Sequence, residues 1–92
     1  MIKSIKTKSL KLFWNKNDSS KLTAKSVDRI DEVLDVLDNA GELRDFKLPS
    51  YEFHSLKGFN PKRYSIKVDE NFRITFEFED GDVFNIKLED YH

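Results

Sequence analysis

The chain has no cysteine among its 92 residues, which excludes disulfides and thiolate chemistry and fits a reducing compartment. It has only two prolines, Pro49 and Pro61, and three glycines. No repeat, low-complexity tract or Gly/Ser/Pro-rich linker divides it. A chain of this length buries only roughly 60 to 65% of its unfolded surface, so one core must carry all the stability, and residues 1–92 are expected to form a single domain. The longest apolar run, Leu12-Phe13-Trp14, is far below the roughly 20 residues that span a bilayer. No signal-peptide pattern opens the chain, so a cytoplasmic location is expected. The two histidines and scattered carboxylates show no metal-ligand spacing, so no metal or other cofactor is expected.

Hydrophobic residues make up 38% of the chain, with eight Phe, three Tyr and one Trp, and charged residues make up 36%. This is the composition of a core-forming domain with a well-solvated exterior. The net charge of −1 hides a segregation. Residues 1–25 carry seven lysines against Asp18, residues 26–47 and 76–92 are acidic, and residues 48–75 are mildly basic. Such a distribution suits either ordinary solvated faces or a local phosphate-binding surface.

Leu10, Phe13 and Trp14 keep helical spacing and predict a short first helix ending near Asn15–Ser20. Val27, Ile30, Val33, Leu34 and Leu37 form a clearer helical stripe. Thr23 is the expected N-cap, Gly41 the expected stop, and Asp28, Asp31, Glu32, Asp35 and Asp38 lie on the wet face. The period then drops to two. Tyr64, Ile66 and Val68, then Phe72, Ile74, Phe76 and Phe78, then Phe84, Ile86 and Leu88 predict three antiparallel strands. A three-residue loop, Glu79-Asp80-Gly81 with Gly81 left-handed, pairs Phe76 with Phe84 and Ile74 with Ile86. The fold class is therefore α+β. Arg73, Thr75, Lys87, Glu89 and Tyr91 fall on the opposite, open face of the sheet, a natural place for a site.

Five residues carry candidate chemistry: His54, Lys57, Arg73, Tyr91 and His92. Histidine exchanges a proton near neutral pH, and Arg or Lys stabilises charge developing on a phosphoryl group. Those are the requirements of metal-free RNA cleavage, in which the 2′-hydroxyl supplies the nucleophile. Each residue also has an ordinary explanation as a surface charge or an exposed ring, and residue types alone do not decide between the two.

In addition, Met1-Ile2-Lys3-Ser4-Ile5, the acidic second helix with Leu37-Asp38, His54-Ser55-Leu56-Lys57-Gly58, Asn71-Phe72-Arg73-Ile74-Thr75-Phe76 and Glu89-Asp90-Tyr91-His92 occur in one order and spacing. Together they resemble the HigB-type toxins, the plasmid maintenance killer proteins of the RelE/ParE superfamily, nearly end to end. The resemblance implies a RelE-like fold with two N-terminal helices packed on one face of a small, mainly antiparallel sheet. It also implies a toxin of a type II toxin–antitoxin system that enters the ribosomal A site and cuts translated mRNA. In this reading His92 is the leading candidate for proton transfer, with Tyr91 beside it. Lys57 and Arg73 hold the scissile phosphate, and His54 and Asp90 support them. Phe72 and Tyr64 stand where many relatives carry Trp.

The implied partners are a helix-turn-helix antitoxin of the HigA type, the small ribosomal subunit and mRNA; operator DNA is reached only through the antitoxin, and no membrane is involved. The alternatives within the same fold are a ParE-like gyrase inhibitor and a catalytically degenerate antitoxin-binding module. A third alternative is a general ribonuclease that needs no ribosome.

Overall fold

The computed structural model describes residues 1–22 and 24–90. Thr23, the expected N-cap, lies outside them, as do Tyr91 and His92. Helix α1 spans Lys8–Lys16 and buries Leu10 and Phe13. It closes at Asn17, which takes the left-handed conformation (φ 53°) and donates its N–H to the Phe13 carbonyl. Helix α2, Val27–Asn39, follows a single 3-10 turn at Ala24–Ser26 and buries Ile30, Val33, Leu34 and Leu37. Removing side chains of this size from water stabilises the fold by roughly 1.5 to 3 kcal/mol each. Gly41 does not cap α2. Ala40 ends the helix in an extended conformation, and the N–H groups of Gly41 and Glu42 go instead to the Asp45 carboxylate, at 2.9 and 3.1 Å. Those two bonds hold the Asp45 carboxyl below the usual carboxylate range.

Four strands, one more than the alternation predicts, form an antiparallel sheet in sequence order: β1 His54–Leu56, β2 Arg63–Lys67, β3 Phe72–Glu79 and β4 Asp82–Asp90. The three-residue β1 is too short to show a period of its own. The amino-terminal segment runs parallel to β4 through bridges at Ile2–Val83 and Ile5–Ile86. The helices cover one face of the sheet, where Leu10, Ile30, Leu34 and Leu37 meet Ile66, Ile74, Phe76, Val83 and Ile86. This is the α+β, RelE-like arrangement that the resemblance implies.

The β3–β4 hairpin corrects the expected register. Glu79 pairs with Asp82, so the turn has two residues, Asp80 and Gly81, both at positive φ (50° and 84°). That is the geometry of a type I′ turn, whose twist matches that of the flanking strands. Between Thr75 and Glu77 a bulge then inserts one extra residue into β4, where Asn85 sits at φ 52°. The extra residue inverts the alternation within β4. Glu77 therefore faces Phe84, and Ile74 faces Leu88 rather than Ile86. Val83 and Ile86 are fully buried in the core, whereas Phe84 turns to the other face.

Two further core members come from segments without periodicity. Phe46 and Tyr51 are fully buried by the 3-10 turns Leu43–Phe46 and Pro49–Tyr51. Phe46 meets Phe76 edge-on at 5.2 Å, and Phe53 stacks on Tyr64 at 5.5 Å. The Tyr51 hydroxyl donates to Glu32 on α2 (2.6 Å), and the Arg29 guanidinium lies 4.5 Å over its ring. Among the described residues, no helix is long and apolar enough to cross a membrane.

Candidate active site

The strand pairings fix what the uncovered face of the sheet presents, because directly opposed residues share a face. One row across the sheet reads His54, Ser65, Thr75, Lys87. The next, toward the carboxyl end of β4, reads Lys67, Arg73, Glu89; on the other side lies Leu56, Arg63, Glu77, Phe84. Neighbours within a row are about 4.8 Å apart and the rows about 7 Å apart.

This face is polar but less open than expected. Arg63 is 5% exposed, Ser65 and Thr75 are fully buried, and Arg63 organises the interior. Its guanidinium donates to Glu77 (3.1 Å), to the Thr75 hydroxyl (2.9 Å) and to the Asn85 carbonyl (2.9 Å). The Thr75 hydroxyl in turn donates a hydrogen bond to Glu89, and the Asn85 amide donates to Glu77 (3.0 Å). The bulge thus turns a backbone carbonyl toward a buried cation. Arg63 and Glu89 were not singled out for chemistry from the sequence. The signal was available: Arg63, Ser65 and Lys67 alternate with Tyr64 and Ile66, so the parity that makes β2 apolar on one face makes it polar on the other.

The predicted site residues divide between places. Arg73 is half-buried on β3, flanked by Lys67 on one side and Glu89 on the other. Lys67 is held between Glu52 (3.1 Å) and Glu70 (3.3 Å), whose hydrogen bonds, that of Glu52 foremost, raise its pKa. His54 is exposed one row away, with Nδ1 2.9 Å from the Glu52 carbonyl. A carbonyl only accepts, so Nδ1 carries the proton and Nε2 of the neutral ring is left as an acceptor. Lys57 lies in the exposed loop after β1, one residue beyond Leu56, at the Arg63 end of the face. The four-residue offset between Arg63 and Lys67 on β2 separates that end from the Arg73 row by about 13 Å. Asp90 is exposed and pairs with Phe72, so it shares the parity of Phe72 rather than that of Arg73. Among the described residues, no three His, Asp or Glu side chains gather as a metal site.

Away from the sheet, Lys8, Lys11 and Lys16 of α1 and Lys21 beyond it are exposed and, with Leu12, line a groove of about 500 Å³. This is the positive end of the segregated charge.

Residues 3–92 match the family described as RelE-like toxin of type II toxin-antitoxin system HigB. The chain is also 44% identical to the Endoribonuclease HigB of Proteus vulgaris, with an alignment that covers the whole of both chains. With a match over nearly every residue, and with two helices on one face of a four-stranded antiparallel sheet, this chain belongs to the HigB family of RelE-like toxins of type II toxin–antitoxin systems.

Proposed function

We propose that the chain is an endoribonuclease that cuts mRNA as it is translated, and so arrests protein synthesis until an antitoxin binds it. The observation that carries this reading is the full-length identity with an endoribonuclease. It is supported by a polar sheet face on which Arg73 and His54 stand one row apart.

The reaction is metal-independent. A base takes the proton of the 2′-hydroxyl, the oxygen attacks the adjacent phosphorus, and the 5′ oxygen leaves with a proton from an acid, giving a cyclic phosphate and a free 5′-hydroxyl. His92 is the leading proton-transfer residue, with Tyr91 beside it and His54 and Asp90 in support. Arg73 holds the scissile phosphate, and Lys57, about 13 Å away at the Arg63 end of the face, holds a neighbouring phosphate of the same strand. Arg73 can grip two phosphate oxygens at once, which a lysine cannot do. The exposed lysines of α1 offer the ribosome a phosphate-binding surface despite the net charge of −1. The partner is an antitoxin of the HigA type, through which operator DNA is reached, and the toxin acts in the cytoplasm.

The test is to express the chain, His92→Ala and Arg73→Lys, and to map 5′ ends on a translated reporter mRNA and on the same message made untranslatable. In-frame cuts that require translation and disappear in both variants are expected. Growth arrest with intact mRNA would sink the reading and point to a gyrase-type target. Cleavage of untranslated RNA would replace the ribosome-dependent enzyme with a general ribonuclease.

A further inference from the structure

From the geometry of the polar face we infer a second RNA contact, a subsite for one unpaired nucleobase built around Phe59 at the Arg63 end of the sheet. The proposal rests on the reading of this face as an RNA-cleaving surface and names where the strand goes after it leaves Arg73.

Phe59 is one of three large hydrophobic residues left exposed among the described residues, and it is 53% exposed. It borders a groove of about 250 Å³ that also takes in Asn60, Asn85, Lys6 and Lys87. These are the components of single-strand recognition: an aromatic face for stacking, amides that both donate and accept for a base edge, and cations for the backbone.

The charges in the groove favour an anion. Arg63 and Glu77 face it but neutralise each other through their 3.1 Å ion pair. Lys6 and Lys87, both exposed, supply the net charge. The walls are also held in place before any ligand arrives. Asn85 is fixed by its amide to Glu77, by its carbonyl to Arg63 and by its N–H to Ser4 (2.8 Å). Lys6 is tethered through its N–H to Ile86 (2.7 Å). Lys87, on the groove's wall, stands in the His54 row, next to the row of Arg73. The Arg73 row and the Arg63 row that borders the groove are about 13 Å apart, so a strand whose phosphate lies at Arg73 reaches Phe59 one or two nucleotides away. An exposed phenylalanine also suits a protein contact, but the flanking lysines and amides match a nucleotide better than an apolar partner surface.

The experiment uses the full chain on translating ribosomes, with a reporter mRNA carrying a single abasic nucleotide at each of the positions flanking the cleaved bond in turn. In the parent, one abasic position slows cleavage about tenfold, the effect of losing one base stack. Phe59→Ala shows a similar loss on intact mRNA and no further loss at that abasic position. Phe59→Trp restores the parent rate. Because Phe59 is exposed, folding is unaffected, and urea melts check this. If Phe59→Ala cleaves like the parent, or if its loss and the abasic loss multiply independently, the subsite is wrong while the enzyme reading stands. If Phe59→Ala weakens only the complex with the antitoxin, the residue is a protein contact and the proposal falls. A parent chain that leaves every message intact overturns the enzyme reading and the subsite together.

Discussion

Replacing Arg63 by methionine tests whether the polar face is a rigid, organised interior or a loose collection of surface groups. The side chain of Arg63 is 5% exposed and that of its partner Glu77 is 19% exposed. Arg63→Met preserves volume but deletes three hydrogen bonds at once, those to Glu77, Thr75 and Asn85. Removing one member of a buried pair costs about 3 to 5 kcal/mol, chiefly because the other charge is left uncompensated. The lower end, about 3 kcal/mol, applies here because Glu77 keeps the Asn85 amide and some solvent. A domain of this size has a total stability of roughly 5 to 14 kcal/mol, so the variant stays folded near room temperature. Its melting temperature falls by roughly 12 to 24 °C. Urea unfolding followed by Trp14 fluorescence measures the loss directly. The double variant Arg63→Met/Glu77→Gln removes the stranded charge and should recover at least about 1 kcal/mol of it. A loss below about 1 kcal/mol at unchanged m-value, or a double variant no more stable than Arg63→Met, would refute the argument.

Three other predictions concern single groups. Burial works against ionisation at Asp69, but hydrogen bonds from Ser26 and from the N–H groups of Asn71 and Phe72 outweigh it and depress its pKa. Its contribution is therefore present above the unfolded value near 3.9 and is lost as pH falls through the depressed folded value; Asp69→Asn should flatten the acid limb of stability in urea melts between pH 7 and 3. Burial, and then the bond to Glu32, push the Tyr51 hydroxyl up to about 12. The stability it contributes below pH 10 is lost as pH rises from about 10 to about 12. Tyr51→Phe should cost about 1 kcal/mol at neutral pH and abolish the most alkaline phenolate step in an ultraviolet titration. The hydroxyl of Ser65 is fully buried without a hydrogen-bond partner among the described residues. Ser65→Ala should therefore be neutral or stabilising by up to about 1 kcal/mol in chemical denaturation, and a clear destabilisation would show that the hydroxyl is satisfied.

The parts of the fold legible in the sequence are those where one residue's position determines the next. The stripe from Ile30 to Leu37 predicts α2, and the alternation through Ile74 and Phe76 predicts β3. Local periodicity cannot register an inserted residue. Asn85 breaks the phase of β4 without any compositional mark, so alternation alone puts Phe84 on the wrong face. Phe46 and Tyr51 are buried by single turns too short to repeat, and Gly41 resembles a cap in sequence because a helix end and a loop bend both favour glycine. At the site, parity correctly placed Arg73, Thr75, Lys87 and Glu89 together. It could not reveal that Arg63 closes one end of the face, since that depends on three bonds contributed by two other strands.

The bulge at Asn85 makes β4 sensitive to length rather than to composition. A chain lacking that residue would still alternate correctly, with Val83, Ile86 and Leu88 on one side and Phe84 and Lys87 on the other. It would lose the carbonyl that accepts from Arg63 and the N–H that donates to the Ser4 hydroxyl. Asn85→Gly keeps both backbone groups, and glycine accepts the positive φ without strain. In a deletion scan of this hairpin, the gap at 85 should therefore harm the protein in a way that no simple exchange of side chain there reproduces.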